Sequence, residues 1–222
     1  MKTSLHNSWK LCVSALLIPL ATAYSLSSAS ADTITLVSGG GGAVGSADPI
    51  TQVSTNRGAT YQAAIIIPPV HIGTAYYDTI PGTEWISFNS TGYGLRYTDM
   101  FFRVTFQLPV GFSNPQLSLS VFADNVATGI LNGVQIGGQP FVETTQNFEN
   151  PPGIFIATDP TLFQVGQNVL TIWLYNFNDP SGLDYQATVT FIPEPSTALQ
   201  VGASLLGAVF LRRKRRTQRI TF

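Results

Sequence analysis

The feature that most constrains this chain is a two-residue alternation of apolar and polar side chains through its middle. In Phe102-Arg103-Val104-Thr105-Phe106-Gln107-Leu108 the apolar set falls at 102, 104, 106 and 108, and in Leu117-Ser118-Leu119-Ser120-Val121 at 117, 119 and 121. Leu170, Ile172 and Leu174 repeat the pattern, as do Ala187, Val189 and Phe191. Successive side chains of a strand point to opposite faces, so this spacing gives each segment one apolar face and one polar face. No stretch between 32 and 192 keeps a helical period for three turns.

Turn chemistry separates these runs: Leu108-Pro109-Val110-Gly111, Ser113-Asn114-Pro115, Gly137-Gly138, Asn150-Pro151-Pro152-Gly153 and Asn178-Asp179-Pro180-Ser181-Gly182. Asn132-Gly133, between Ile130-Leu131 and Val134-Gln135-Ile136, predicts a tight type I′ hairpin. Many short strands punctuated in this way predict an all-β fold, an antiparallel β-sandwich or jelly roll, over residues 32–192. Gly39 to Gly42 reads as a flexible loop, because no Gly-Lys-Ser/Thr follows to make it a phosphate cradle.

The two ends of the 222-residue chain read as addresses rather than as parts of that domain. In residues 1–31, Lys2, His6 and Lys10 precede the apolar run Leu11 to Leu20, and small residues continue to Ala29-Ser30-Ala31. This is the order of a secretory signal peptide, with cleavage expected after Ala31 and Ala23 as the alternative; the partners it implies are the Sec translocon and signal peptidase. As a helix the apolar run is about 15 Å long, half of a hydrocarbon core of roughly 30 Å.

Residues 193–222 have three parts: Pro193-Glu194-Pro195, an apolar stretch over 197–211 expected as a transmembrane helix, and a basic tail over 212–219 containing Arg212-Arg213-Lys214-Arg215-Arg216. The prolines keep the entry extended and open to a protease. The apolar stretch would rise about 22 Å, short for a span but workable with snorkelling or bilayer thinning. Five consecutive cations hold the tail on the cytoplasmic side.

This order, at the terminus of a chain with a signal peptide, resembles the PEP-CTERM sorting domain of Gram-negative bacteria. The resemblance covers about thirty residues and implies recognition by an exosortase, a membrane cysteine transpeptidase, with cleavage near Pro193-Glu194-Pro195. It places the chain in the membrane before processing and at the cell surface or in the extracellular matrix afterwards. An ordinary single-pass tail anchor shares the positive flank.

Removing both ends changes the charge. Between 32 and 192 only Arg57, Arg96 and Arg103 are basic, against eleven acidic residues, a net charge of −8. That sign opposes nucleic-acid binding, which depends on Lys and Arg displacing counterions from phosphates. The single cysteine, Cys12, lies in the leader, so the domain has neither a disulfide nor thiolate chemistry.

A second resemblance covers roughly residues 60 to 192. Glu84-Trp85-Ile86-Ser87, the long strand from Tyr97 to Leu108, Ala123-Asp124-Asn125, Leu131-Asn132-Gly133-Val134 and Gly166-Gln167-Asn168-Val169-Leu170-Thr171-Ile172 are together similar to galactose-binding-like jelly-roll ectodomains of exported bacterial proteins. These motifs imply architecture more than ligand.

The inventory for catalysis is poor. His71 is the only histidine outside the leader, no Gly-x-Ser-x-Gly elbow is present, and no cofactor is expected. A glycan-active enzyme with two convergent carboxylates stays open as an alternative, since such pairing depends on space rather than on sequence. Carbohydrate binding is the better expectation, with an extracellular polysaccharide as partner: aromatic faces suit sugar rings, and Asp or Asn suit hydroxyls. Tyr76, Tyr77, Trp85, Tyr93 and Tyr97 cluster in a loop-rich stretch, and Asp124-Asn125 leads into the hairpin. Trp85, Tyr93, Tyr97, Asp124 and Asn125 are therefore the candidate glycan-binding residues. Against this, Trp85 can fill the core, and Asp124 and Asn125 can make turn hydrogen bonds. A structural Ca²⁺ on loop carboxylates is open, although Asp124 lacks the Asp-x-Asp-x-Asp-Gly spacing. A structural surface or matrix protein without a discrete ligand site is the other reading.

Overall fold

The computed structural model describes residues 30–69, 78–142, 147–149 and 151–194. The leader up to Ala29, His71, Tyr76, Tyr77, Pro195, the apolar stretch 197–211 and the basic tail lie outside the described residues. Among the described residues no helix is long and apolar enough to cross a membrane.

Among the described residues eleven strands carry the fold: β1 (Asp32–Val37), β2 (Ala47–Ser54), β3 (Gln62–Ile66), β4 (Ile86–Ser87), β5 (Thr98–Leu108), β6 (Ser113–Asp124), β7 (Val126–Leu131), β8 (Val134–Gly138), β9 (Gly153–Ala157), β10 (Gly166–Asn176) and β11 (Gly182–Ile192). A 3₁₀ turn, Pro160–Leu162, is capped by Asp159, whose carboxylate accepts from the Thr161 amide at 2.9 Å. The strands form an antiparallel sheet in the order β8-β7-β10-β5-β2-β3-β4-β11-β6-β9, with β1 added to β11. The sheet folds over on itself into the expected all-β sandwich. At its two free ends Phe155 of β9 sits against Gly137 of β8, where an added Cβ would come within 2.7 Å of the ring.

The alternation read from the sequence sets the interior. Met100, Phe102, Val104, Phe106 and Leu108 of β5 face Leu117, Leu119, Val121 and Ala123 of β6 and the inward residues of β10 and β11 in one buried cluster. Each Val, Leu, Met or Phe side chain among them contributes about 1.5–3 kcal/mol relative to remaining in water. Asn132 and Gly133 have φ of 50° and 87°, the doubly left-handed pair of a type I′ turn, and join β7 to β8 as expected.

Gly39 to Gly42 lies in the loop between β1 and β2, as expected, and two hydrogen bonds tie it to the body of the fold. The Gly39 amide donates to Asp48 Oδ2 at 2.6 Å and the Gly41 amide to Glu84 Oε2 at 3.1 Å. Gly39 has φ of 77°, and a side chain there would collide with Glu84, so the glycine answers to both backbone and space.

Registration fixes two poles. Asp32 faces Phe191, and Ile192 pairs with Ser113, so β1 begins and β11 ends at one pole. At the other, Asp124 faces Gly182 and Asn176 faces Thr98.

Candidate functional site

The polar half of the alternation builds the site. On β5 the outward residues are Asp99, Phe101, Arg103 and Thr105. Register places Tyr175, Trp173, Thr171 and Val169 of β10 beside them in that order. Gln52 of β2 lies on the other side of Arg103. One face of the sandwich therefore carries an aromatic end toward the pole opposite Asp32 and Ile192 and a polar end nearer to them.

At the aromatic end, the segment after β8 crosses back over β7. Ala127 and Gln139 fix it: the Gln139 amide donates to Ala127 O at 2.9 Å, and the Ala127 amide donates to Gln139 Oε1 at 2.8 Å. This sets Phe141 on the sheet, 4.8 Å from the Tyr175 ring, 5.1 Å from Phe177 and 6.3 Å from Trp173, nearly parallel to the last at 11°. These separations fit the offset and tilted arrangements that aromatic quadrupoles favour. Phe141 is nevertheless 56% exposed, a large apolar ring facing water over a half-buried aromatic bed. The Trp173 indole donates to Asp99 Oδ1 at 2.9 Å, and Asp99 Oδ2 pairs with Arg57 at 3.4 Å. The bed is thus oriented by a charged carboxylate.

At the polar end an open groove of about 480 Å³ runs between β2, β5 and β10, with Gln52, Arg103, Thr105, Gln167 and Val169 along it. The Arg103 guanidinium lies 3.8 Å from the centre of the Tyr61 ring and donates to Gln52 Oε1 at 2.6 Å. Asp48 also lines the groove, but its two oxygens are taken by the amides of Gly39, Ile50 and Thr51.

The residues singled out from sequence sit elsewhere. Trp85 is not a surface ring: it is fully buried beneath the segment leading to β4, stacked on Phe122 at 6.5 Å and packed with Ile67 and Ile80. Its indole donates to Asp78 O at 2.9 Å. A large aromatic on the outward side of β6 needed a cover, and the loop supplies it. Asp124 and Asn125 are buried as well, so neither presents its side chain to a ligand. Asn125 instead accepts from the Phe177 amide at 2.8 Å, which supports the aromatic bed from below.

Tyr93 and Tyr97 lie in the loop ahead of β5, at the pole away from Asp32 and Ile192. Tyr97 is 65% exposed and Tyr93 half-buried. Arg96, between them, pairs with Asp179 at 3.0 Å. The candidates are therefore not brought together: Trp85 belongs to one face, Tyr93 and Tyr97 to one end.

Beneath the same loop as Trp85, Asp184 accepts from Ser38 Oγ at 3.0 Å and from the Ile80 amide at 2.9 Å. Burial pushes its carboxyl above the usual range, the Thr83, Ile80 and Ser38 hydrogen bonds oppose this, and the Glu84 charge adds to it. Among the described residues no three His, Cys, Asp or Glu side chains converge in a way that would hold a metal ion.

No protein-family model matches the chain, and no curated protein does. Among solved structures it is similar to a family 35 carbohydrate-binding module from Clostridium thermocellum, at 13% identity and a TM-score of 0.38, over 70% of this chain and 97% of the module. It is also similar to a β-D-glucuronidase of Dictyoglomus thermophilum, at 12% identity and a TM-score of 0.40, over 74% of this chain and 28% of the enzyme. A β-glucuronidase of Ruminococcus gnavus matches at 13% identity and a TM-score of 0.38, over 74% of this chain and 29% of the enzyme. The chain spans less than a third of either enzyme's length.

Proposed function

We propose that the protein is an exported, non-catalytic carbohydrate-binding protein of the cell envelope or extracellular matrix, and that it holds polysaccharide on the outer face of β2, β5 and β10. The observation that carries this is the pairing, on one open sheet face, of an exposed ring over an aromatic bed with a groove of amides and hydroxyls. Aromatic faces take the apolar side of a sugar ring, and amide, hydroxyl and guanidinium groups take its hydroxyls. A concave, mostly pre-formed surface with a few convergent polar groups is the usual form of a ligand site.

Export rests on the leader ending at Ala31, and sorting by an exosortase rests on Pro193-Glu194-Pro195 with the basic block that follows. What supports this arrangement is that Asp32 and Ile192, the residues next to the two expected signals, share one pole, while the aromatic cluster lies toward the other.

A glycan array with the purified protein tests the binding reading. Binding that persists unchanged in both Phe141→Ala and Trp173→Ala, or no binding by a folded protein, sinks it. The intact mass of the mature protein, with and without deletion of 193–195, tests the sorting reading separately. An unchanged mass and unchanged membrane retention on deletion count against it.

A further inference from the structure

Resting on the reading of this face as a sugar site, we infer that its ligand is an acidic polysaccharide, a chain bearing carboxylate groups, and that Arg103 is the carboxylate receptor. The inference starts from scarcity. The stretch 32–192 has three basic residues against eleven acidic ones. Two of the three are committed: Arg96 to Asp179 at 3.0 Å and Arg57 to Asp99 at 3.4 Å. Arg103 is the third, and among the described residues no carboxylate lies within ion-pair distance of it.

It is also held in place. The Tyr61 ring packs against the guanidinium at 3.8 Å, and Gln52, a neutral acceptor, receives one of its five N–H groups. Stacking and a neutral acceptor orient the planar fork without neutralising it. The nearest candidate counter-charge along the groove, Asp48, is occupied by three backbone amides. Asp48 keeps its own charge, but its oxygens are engaged by those amides and no ion pair joins it to Arg103, so the guanidinium stays open to a carboxylate from outside; the more distant acidic residues are screened beyond about 8 Å at physiological ionic strength. A fixed guanidinium fork matches a carboxylate in two parallel hydrogen bonds.

The surroundings suit the rest of such a chain. Thr105 and Gln167 offer hydroxyl and amide groups along the groove. The Phe101–Trp173 pair lies one step up the sheet from Arg103, about 7 Å away along the strand. A sugar chain lying along β5 would meet aromatic carbon at one ring and the cation at a neighbouring substituent.

The test measures the purified protein against polygalacturonate and alginate, each beside its carboxyl-reduced neutral counterpart, by affinity electrophoresis and calorimetry. The expected result is a preference of about ten-fold or more for an acidic form, consistent with one charge-assisted bidentate contact. Arg103→Gln should erase the preference, so that the acidic polymer is held no more tightly than its reduced counterpart, and Arg103→Lys, which retains charge but not the fork, should keep only part of it. Thermal melting confirms that the variants are folded, and the wild-type comparison of acidic with reduced polymer needs no variant at all. Equal binding of acidic and reduced forms, or a preference indifferent to Arg103→Gln, overturns the acidic ligand and leaves the sugar site standing. Retention of no polymer in either form overturns both.

Discussion

The Tyr185 phenol and the Thr51 hydroxyl share a hydrogen bond of 2.9 Å across the interior, one side chain from β11 and the other from β2. Both are sealed from water, and burial pushes the phenol's ionisation above the ordinary tyrosine range. This contact links β11 to β2, the strand that borders the groove.

Tyr185→Phe should therefore lower stability by about 1–3 kcal/mol, because it strands the Thr51 hydroxyl in a dry environment. Thr51→Val in the same chain should cost less than the sum of the single changes, since removing both partners leaves no orphan. Urea denaturation of the four proteins of the cycle measures this. Additive losses would mean that the bond contributes nothing of its own.

Asp184 gives a pH signature. Burial raises its ionisation in the folded state above the ordinary aspartate range, so between the unfolded and folded values the folded protein holds more protons than the unfolded chain. Stability contributed by this group is fully present below the unfolded pKa and is lost as pH rises through the raised folded value. Asp184→Asn should flatten that decline. Urea midpoints compared from about pH 4 to 7 for the two proteins isolate the effect, because other groups cancel in the difference.

Phe141→Ala should leave the fold almost untouched, with a stability change of about 1 kcal/mol or less, because the ring is 56% exposed. It should cost binding of a polysaccharide about ten-fold, as expected for an aromatic anchor at the centre of a contact surface. Calorimetry for binding and thermal melting for stability read the two effects separately.

Trp85→Ala should do the reverse. Loss of a fully buried indole stacked on Phe122 leaves a cavity and should cost about 3–5 kcal/mol. At a temperature where the variant stays folded, its sugar binding should equal that of the wild type, since Trp85 lies away from the groove. Weakened binding in a folded Trp85 variant would return that side of the molecule to consideration.

Gly39→Ala should destabilise by about 1–3 kcal/mol, through the left-handed backbone and through contact with Glu84. Glu84→Gly in the same chain should recover only the steric share, since an alanine at 84 would keep the Cβ that lies 2.5 Å from the new side chain. Chemical denaturation of the single and double variants separates the two contributions.

The long strands were legible in the sequence because burial on one side alone leaves a period of two, and β5, β6, β10 and β11 all keep it. The Asn132-Gly133 hairpin was legible because a type I′ turn restricts which residues fit. The site was less so. Phe101, Trp173 and Tyr175 occupy the outward positions between the very apolar residues that define β5 and β10, and an aromatic on the polar half of an alternating strand is a usable signal. Nothing local links Phe141 to Trp173, or Tyr61 to Arg103, because sheet order brings those pairs together. Trp85 misleads for the opposite reason. It stands in a loop-rich stretch that reads as surface, and the segment from Asp78 to Trp85 folds down to bury it.

The way β11 is seated has a mechanical consequence. It is registered with β6 from Gly182 to Thr190, and with β1 from Gln186 to Phe191, and the chain leaves it at Ile192. Ladder bonds between antiparallel strands lie perpendicular to the strand axis. Tension applied at Ile192, while the opposite face is held by a bound polymer, would draw β11 lengthwise and shear both ladders at once instead of peeling bonds singly. Survival under such a load is set by the rate of forced unfolding rather than by equilibrium stability. The strand flanked by β1 and β6 is thus also placed to bear traction between Ile192 and whatever grips the opposite face.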